Sequence, residues 1–475
     1  SANQLVSEPR EDLQISAVTD DSRRVSAGTL FCAIEGTVQD GHRFVADAQA
    51  RGAAAAVVVH PVEAPIPQVQ VRDSREAASI VAAEWYGRPA EALDVIGVTG
   101  TNGKTTTVAL LRHLQDADGS AGSMGTLGAI DGSGQALEGH GNLTTPGSME
   151  LHGVLAELRD RGVQTVVMEA SSHALDQQRL ALVELRGAVY TNLSHEHLDY
   201  HGTMEAYRDA KARLSDLLGP GGIEVVNEDD PAWRALNRRD RVRRIGFGRS
   251  SGDVQVHDVR LDAVGSSAVF VFGGAEHPVR LPLLGDFNIE NALAAAATAW
   301  GMGLDPETIV DRLASAPPVP GRLEPVASGD FVILRDYCHT PDALERAMAV
   351  LRPITFGRLI VLFGAGGDRD RSKRAPMGQA VERAADLAVV TSDNPRTEDP
   401  DRIIDEIESG MGGKQHVRIT DRLEAIRHAI GLLEPGDCLL LAGKGHEDYQ
   451  VVGTERHPFD EREIVQRLLR DRGTS

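Results

Sequence analysis

The sequence predicts an α/β protein with mostly parallel sheets. Short apolar runs alternate with helix-length patterns along nearly the whole chain, and most of those runs end abruptly in glycine and polar residues. Two breaks in composition, at "YGRPAEALD" and "SAPPVPGRLEPV", divide the chain into three expected domains, residues 1–92, 93–318 and 319–475. A chain of 475 residues is too long for one ordinary core, which agrees with that division.

The bulk numbers exclude several classes. Hydrophobic residues make up 41% and charged residues 25%, as in soluble globular proteins. The 70 acidic and 49 basic residues give a net charge of −21, which argues against a nucleic-acid partner. Cys32, Cys338 and Cys438 are far apart with no CxxC pair, which points to a reducing compartment and no zinc site. There is no apolar run long enough for a membrane span and no signal-peptide pattern, so a cytoplasmic enzyme or binding protein is expected.

In chain order, the first section holds short elements such as "GTLFCAIEG" and "GAAAAVVVH". The second opens on the buried-strand pattern "VIGVTG" and continues through "TVVMEASSH" and "GAVYTNLSHEHLDYH". The third contains "FVILRDYCHT", "RLIVLFGAGGDRDR", "LAVVTSDNPRTEDP" and "CLLLAGKGHEDYQ". Ligands of open α/β sheets sit beyond the carboxyl ends of strands, so these exits are where function is sought.

The first exit carries a phosphate loop. "GVTGTNGKTTT", Gly97 to Thr107, follows a strand and opens the helical pattern "TTTVALLRHL". Glycines let backbone N–H groups close round phosphate oxygens, and a helix N-terminus adds partial positive charge. In this reading Lys104 reaches the β- and γ-phosphates and the Thr105 hydroxyl binds Mg²⁺. The spacing departs from the general motif, with Val98 where a glycine is expected and Gly100 only three residues before Gly103.

Two further exits carry candidate metal ligands. Glu169 ends "TVVME" and precedes Ser171, Ser172 and His173; His197, Asp199 and His201 lie in "NLSHEHLDYHG". Mg²⁺ prefers oxygen, so Glu169 is a natural ligand and His197 an unusual one. In "AYRDAKARLSDLL", Met204, Tyr207, Leu214 and Leu218 recur as a buried helical stripe, and Lys211 falls on it. A lysine there either lays its stem on apolar surface and lifts its ammonium to water, or is held dry for a chemical reason.

The motifs "TGTNGKT", "LTTPGSMEL", "MEASSHALDQQR", "NLSHEHLDYHGTMEAYRDAK", "LLGDFNIENALAA", "GRLEPV" and "DYCHTPDAL" run in one order over nearly the whole chain and resemble those of the Mur ligases. These are the ATP-dependent amino-acid-adding enzymes of peptidoglycan synthesis. The resemblance implies a central phosphate-loop domain with a mostly parallel sheet and a Rossmann-like C-terminal domain. It implies that Lys211 is carbamylated by CO₂ and supports a second Mg²⁺, with His197 assisting and with Thr105 and Glu169 serving Mg²⁺. Burial fits that chemistry, because it lowers a lysine's pKa and leaves the neutral amine that attacks CO₂. The resemblance assigns ATP contacts to Gly100, Thr101, Asn102, Gly103, Lys104, Thr105 and Thr106, and to Asn291, Arg322, Asp336 and His339. Cys338 replaces a small apolar residue and Glu196 an expected aspartate; both changes are mild.

The implied reaction transfers the γ-phosphoryl group of ATP to a carboxylate, and an amine then attacks the acyl phosphate. Positioned cations carry most of such a step, here Lys104, Arg322 and two Mg²⁺, and closure of domains excludes water. The stretch "DDSRRVSAGTLFCAIEGTVQDGHRFV" resembles the domain that holds the UDP end of UDP-MurNAc-L-Ala-D-Glu, with Asp20, Ser22 and the Thr37–Val38–Gln39 turn at contact positions. Thr144, Thr145, Ser171, Gln177 and Arg179 match positions for the muramoyl-peptide part. "DNPR" resembles the selecting motif of the diaminopimelate-adding members. Arg396 would hold the far carboxylate of meso-diaminopimelate, joined by Arg369, Asp393, Asn394, Pro395, Gly443 and Glu447. On this reading L-lysine would leave Arg396 buried and unpaired. The rivals are the L-lysine-adding counterpart, folylpolyglutamate synthase, and a nucleotide-regulated binding module without turnover. A monomer without nucleic-acid or membrane partners is expected.

Overall fold

A computed structural model describes residues 4–7, 12–36, 39–139, 143–236, 240, 242–262, 264–413 and 416–473. The chain separates into two compact units: Ser1–His257 with Phe270–His277 and Glu290–Leu313, and Asp258–Val269 with Pro278–Ile289 and Ala314–Ser475. Among the described residues no helix is long and apolar enough to cross a membrane.

The first unit contains two sheets. The N-terminal one has the order Leu5–Ser7, Gln68–Val71, Ala55–Val58, Thr29–Cys32, Ala17–Thr19, parallel except at Leu5–Ser7. Helix Ser74–Trp85 follows, started by the Asp73 carboxylate, which accepts from the N–H groups of Arg75 and Glu76. It buries Ala77, Ala78, Ala82 and Ala83, small residues that permit close approach. Ser79 Oγ then lies 2.6 Å from Ser148 Oγ and donates to the Gln178 carbonyl at 2.9 Å. The first 92 residues are thereby fastened to the section that follows.

Seven strands of the larger, ten-stranded sheet run Arg243–Gly248, Leu218–Asn227, Leu185–Tyr190, Asp94–Thr99, Thr165–Glu169, Ala121–Gly125, Gly128–Ile130, parallel but for the last hairpin. The phosphate-loop strand, Asp94–Thr99, is central, and its residues from Val95 on are buried, as an all-apolar run requires. Parallel pairing puts the carboxyl ends of the parallel strands on one edge. Register sets Val98 opposite Glu169 and Thr99 opposite Tyr190, so three functional exits are neighbours. Strands Val254–Asp262, Gly265–Phe272 and Ala275–Leu281 continue the sheet beyond Arg243–Gly248.

The second unit is doubly wound. Its sheet has the order Glu324–Ser328, Val332–Asp336, Cys438–Ala442, Leu359–Phe363, Leu387–Val390, Val417–Arg418, parallel except for the first pair. Alternate residues face opposite ways: Cys438, Leu440 and Ala442 join one apolar cluster with Leu344, Met377 and Ile404, and Leu439 and Leu441 join another with Ile426 and Val465. Helices therefore cover both faces, as the Rossmann-like expectation requires.

Candidate functional site

The phosphate loop is held by its neighbours more than by itself. Asn192, at the exit of Leu185–Tyr190, accepts from Thr101 N through its carbonyl at 2.7 Å and from Asn102 N through its side chain at 2.9 Å. Thr191 Oγ1 donates to the Asn102 carbonyl at 2.7 Å. Gly100 has φ +148°, and a Cβ there would collide with Thr191 Oγ1. Gly103 has φ +84°, and a Cβ there would collide with Asn291 Oδ1, which brings Asn291 to the loop as expected. Helix Lys104–Gln115 begins at Gly103 with no side-chain cap, so its positive dipole end faces the loop. Thr191 and Asn192 carry no motif of their own, and sequence reasoning missed them.

Lys211 is buried, 1% exposed. The stripe is shorter than expected: the helix is Met204–Ala212, a 3-10 segment Arg213–Leu217 follows, and Leu218 begins a strand. Buried hydrogen bonds draw the chain out of the α-helix there, with Ser215 Oγ donating to Glu224 at 2.6 Å and Ser215 N to Tyr190 OH at 3.1 Å. Met204 and Leu218 are only half-buried, while Tyr207 and Leu214 are fully buried. Lys211 Nζ donates to the Gly100 carbonyl at 2.7 Å, and Lys104 Nζ donates to the same oxygen at 3.0 Å and to Thr101 O at 2.8 Å. Tyr207 lies beneath Lys211 Nζ, 4.6 Å from ring centroid to nitrogen. Burial above all, then the charge of Lys104, pushes the Lys211 amine well below its ordinary range, and Glu196 opposes this. The stem does not lift an ammonium to water.

Glu169 is 1% exposed, and its carboxylate accepts from Thr126 N at 2.8 Å and Thr126 Oγ1 at 3.3 Å. At Gly125 a Cβ would collide with that carboxylate. His197 sits at φ +56°, edge-on to His173 with ring centroids 4.8 Å apart. Burial first, then Lys104 and Lys211, hold its imidazole below the usual range against the pull of Glu196. His173 is pushed down to about 4 by burial and by His197 and His201. His201 is committed to Ser172 Oγ at 3.0 Å. Among the described residues, one histidine–carboxylate group has ligand atoms close together: Glu35, His42 and His60. Both ring nitrogens of His42 are already engaged, with Asp40 at 2.7 Å and Val59 N at 2.8 Å.

Of the residues expected to hold the UDP-sugar-peptide, Thr144, Thr145, Ser171, Gln177 and Arg179 lie in one hydrogen-bonded group. Thr145 is buried, and its hydroxyl donates to the Glu169 carbonyl at 2.8 Å and accepts from Ser171 N at 3.0 Å. Its hydroxyl thus ties the turn before helix Ser148–Asp160 to the exit of strand Thr165–Glu169. Ser171 starts helix Ser172–Asp176, Thr144 Oγ1 lies 3.3 Å from Thr126 Oγ1, and Arg179 holds Gln177 Oε1 through Nε and Nη2 at 3.1 and 2.7 Å. Arg179 Nη1 donates to the Thr145 carbonyl at 2.8 Å. Asp20 faces this turn at Gly147, with burial raising its carboxyl pKa. Ser22 is half-buried in the 3-10 turn Ser22–Arg24, and Gln39 is exposed. Thr37 and Val38 lie outside the described residues.

In the second unit Asp336 accepts from Leu323 N at 2.6 Å and Cys338 N at 2.8 Å, which fixes the Arg322–Asp336 corner. Arg322 stacks over Tyr337 at 5.1 Å. His339 Nδ1 lies 2.7 Å from the Tyr337 carbonyl, so Nδ1 carries a proton, and burial lowers its pKa.

The loops after Leu359–Phe363 and Leu387–Val390 are fastened together. Gly367 N donates to the Asn394 carbonyl at 2.9 Å, and Arg396 Nη1 to the Gly367 carbonyl at 2.8 Å. Arg396 has φ +51° and is clasped by the hairpin Tyr449–Val452/Glu455–Pro458, its N–H donating to Val451 and its carbonyl accepting from Gly453. Arg396 is half-buried and already has one partner, so the expectation of a guanidinium left wholly unpaired is corrected. Asp393, Asn394 and Pro395 are buried, whereas Arg369 is exposed. Asn394 Nδ2 donates to Glu447 at 2.8 Å, and Gly443, φ +114°, leaves room beside Asp393. Arg374 and Lys444, both fully buried beside these loops, were missed, because their sequence surroundings do not distinguish them from surface cations.

This geometry has relatives. The Mur ligase middle domain matches residues 98–299, the glutamate ligase domain of Mur ligases 321–445, and the Mur ligase family catalytic domain 14–86. The UDP-N-acetylmuramoyl-L-alanyl-D-glutamate–2,6-diaminopimelate ligase of Geobacillus kaustophilus is 43% identical, covering 97% of this chain and 96% of its own. That of Aquifex aeolicus is 41% identical, covering 96% and 94%. A solved structure of a ligase of the same name is 32% identical, with TM-score 0.69 and coverage of 98% and 96%. A phosphate loop whose carbonyl receives a buried lysine, and likeness over nearly the full length, lead to one conclusion: the chain belongs to the Mur ligase family.

Proposed function

We propose that the protein joins meso-diaminopimelate to the free carboxylate of UDP-MurNAc-L-Ala-D-Glu at the expense of ATP, in peptidoglycan precursor synthesis. It works as a cytoplasmic monomer built from domains 1–92, 93–318 and 319–475. The observation that carries this is the shared Gly100 carbonyl, which receives both the phosphate-loop Lys104 and the buried Lys211. An ordinary phosphate loop has no use for a second, dry amine. A ligase that must gather anionic phosphate and carboxylate has one.

Lys104 and the loop's N–H groups bind and orient the phosphates, and charge moving onto the transferred group strengthens those contacts. The substrate carboxylate attacks the γ-phosphorus and ADP leaves; the amine of diaminopimelate then attacks the acyl carbon and releases phosphate. Thr126 orients the Glu169 carboxylate, which with Thr105 would hold Mg²⁺; bound there, Mg²⁺ would neutralise charge on the phosphoryl group. Lys211, its amine pushed toward the neutral form by burial, would add CO₂ and release a proton to give a carbamate, which with the His197 imidazole would hold a second Mg²⁺. Asp20, Ser22, the Thr37–Gln39 turn, Thr144, Thr145, Ser171, Gln177 and Arg179 hold the UDP-sugar-peptide. Asn291, Arg322, Asp336 and His339 hold ATP.

Diaminopimelate is lysine with an extra carboxylate, and Arg396 is oriented in advance to receive it. Because one guanidinium N–H already has a partner, L-lysine should be disfavoured by about a hundredfold rather than a thousandfold. The test is phosphate release from ATP with UDP-MurNAc-dipeptide across a panel of amino acids. Activity confined to meso-diaminopimelate, and largely lost in Arg396→Ala with the ATP KM unchanged, is expected. Equal use of L-lysine by the wild type would overturn the assignment.

A further inference from the structure

"AGKGHED" leaves strand Cys438–Ala442 and places a lysine at a strand exit, where lysines ordinarily reach water. Lys444 is instead 0% exposed. Its Nζ donates to Asn394 Oδ1 and to Glu447 Oε2, each at 3.2 Å, and lies 3.8 Å from Asp393 Oδ1. The rings of Tyr449 and Phe459 close the other side, with centroids 5.7 and 5.9 Å away.

Two carboxylates, Asp393 and Glu447, share the ammonium of Lys444, which bonds only the second of them. Glu447 Oε2 also accepts from Asn394 Nδ2 at 2.8 Å, and Asn394 Oδ1 accepts from Val451 N at 2.9 Å, so Asn394 and Glu447 have their partners. Asp393 is 6% exposed and its Oδ1 has no hydrogen-bond donor among the described residues. Lys373, half-buried at the head of helix Arg374–Ala384, adds positive potential at Asp393 without bonding to it. A buried carboxylate oxygen without a donor is costly, and an arriving ammonium group removes that cost.

We propose that Lys444 is a positioning residue of the amino-acid subsite, which holds Glu447 and orients Asn394 so that the undonated Asp393 oxygen is left to receive one ammonium group of the incoming diamino acid. This rests on the reading of the pocket given above. Removing Lys444 takes the bonded cation from Glu447 and leaves only the unbonded Lys373 facing Asp393, so the two carboxylates repel one another and lose their register. Removing one carboxylate as well restores the balance. The single and double changes are therefore not additive.

The experiment is steady-state kinetics on the full chain with K444M, E447Q, K444M/E447Q and R396A. K444M should raise the KM for diaminopimelate about ten- to a hundredfold, with kcat within about threefold and unchanged KM values for ATP and the UDP-substrate. K444M/E447Q should bind diaminopimelate better than K444M; a double variant no better than the single one overturns the charge argument. A fall in kcat at constant KM in K444M overturns it too. If K444M does not fold, E447Q carries the test, since it releases Lys444 to Asp393, and an unchanged KM for diaminopimelate overturns the proposal. R396A separates the two readings. If it too leaves that KM unchanged, the pocket itself is misassigned; if it raises the KM while K444M does not, the role of Lys444 alone fails.

Discussion

Replacing Lys211 separates the packing of its stem from the chemistry of its amine. Nζ has one hydrogen-bond acceptor, the Gly100 carbonyl at 2.7 Å, and one aromatic face, Tyr207 at 4.6 Å. Keeping a proton there would leave two N–H groups without acceptors among the described residues, beside the like charge of Lys104, at about 1–3 kcal/mol for each unmade bond, and giving the proton up also costs free energy. Lys211→Met keeps most of the stem and removes that burden, so its stability should lie between unchanged and about 2 kcal/mol above wild type. Lys211→Ala also empties the stem's volume and should cost about 2–4 kcal/mol. Both should lose at least about a thousandfold in turnover, as expected when an interaction made in the transition state is removed. A small carboxylic acid in solution should partly restore Lys211→Ala, which has room for it, and not Lys211→Met. Denaturant midpoints and phosphate release from ATP with both substrates measure the two effects. Near-normal turnover in Lys211→Met would refute the carbamate, and a loss of more than about 2 kcal/mol in that variant would refute the account of the amine as a destabilising group.

Three other changes follow from the same structure. Gly100→Ala should fold but weaken ATP binding at least about tenfold by titration, because φ +148° and the Thr191 hydroxyl leave no place for a methyl group; unchanged affinity would mean that the loop moves freely. Arg374→Met removes a fully buried guanidinium that bonds Glu398, Glu406 and the Gly366 carbonyl, and should cost about 3–5 kcal/mol on denaturation while raising the KM for diaminopimelate more than that for ATP. His152, buried with Nδ1 unpartnered, has its pKa pushed down to about 4 by burial. The unfolded chain therefore binds a proton that the native state refuses, so stability is full above about pH 6.5 and falls as pH drops toward 4, by up to about 3 kcal/mol. His152→Leu should flatten the denaturant midpoint over that window, and an unaltered slope would refute the assignment.

What was legible in the sequence was whatever lies within one segment. The strand–loop–helix of Gly97–Thr107, the strand exits and the placing of Lys211 on an apolar stripe needed only local spacing, and each is present. What was not legible depends on segments that meet only in the fold. Thr191 and Asn192 follow a strand ninety residues beyond the loop they fasten, and nothing beside them signals it. The early end of the Lys211 helix depends on Tyr190 and Glu224, which helix periodicity does not register. The two buried lysines make the point most directly. Lys211 stood out because its neighbours in sequence are apolar. Lys444 did not, because glycines flank it, and its burial comes from Asn394, Glu447, Tyr449 and Phe459 converging on it. The environments also oppose each other: Lys211 has no carboxylate bonded to it and Lys444 has Glu447, with Asp393 nearby. On the reading proposed above, a dry amine without a bonded anion would become one by reacting with CO₂ and releasing a proton, whereas a dry amine between anions serves as a fixed counter-charge. Periodicity can say that a lysine is buried; only the fold says which of these two tasks the burial supports.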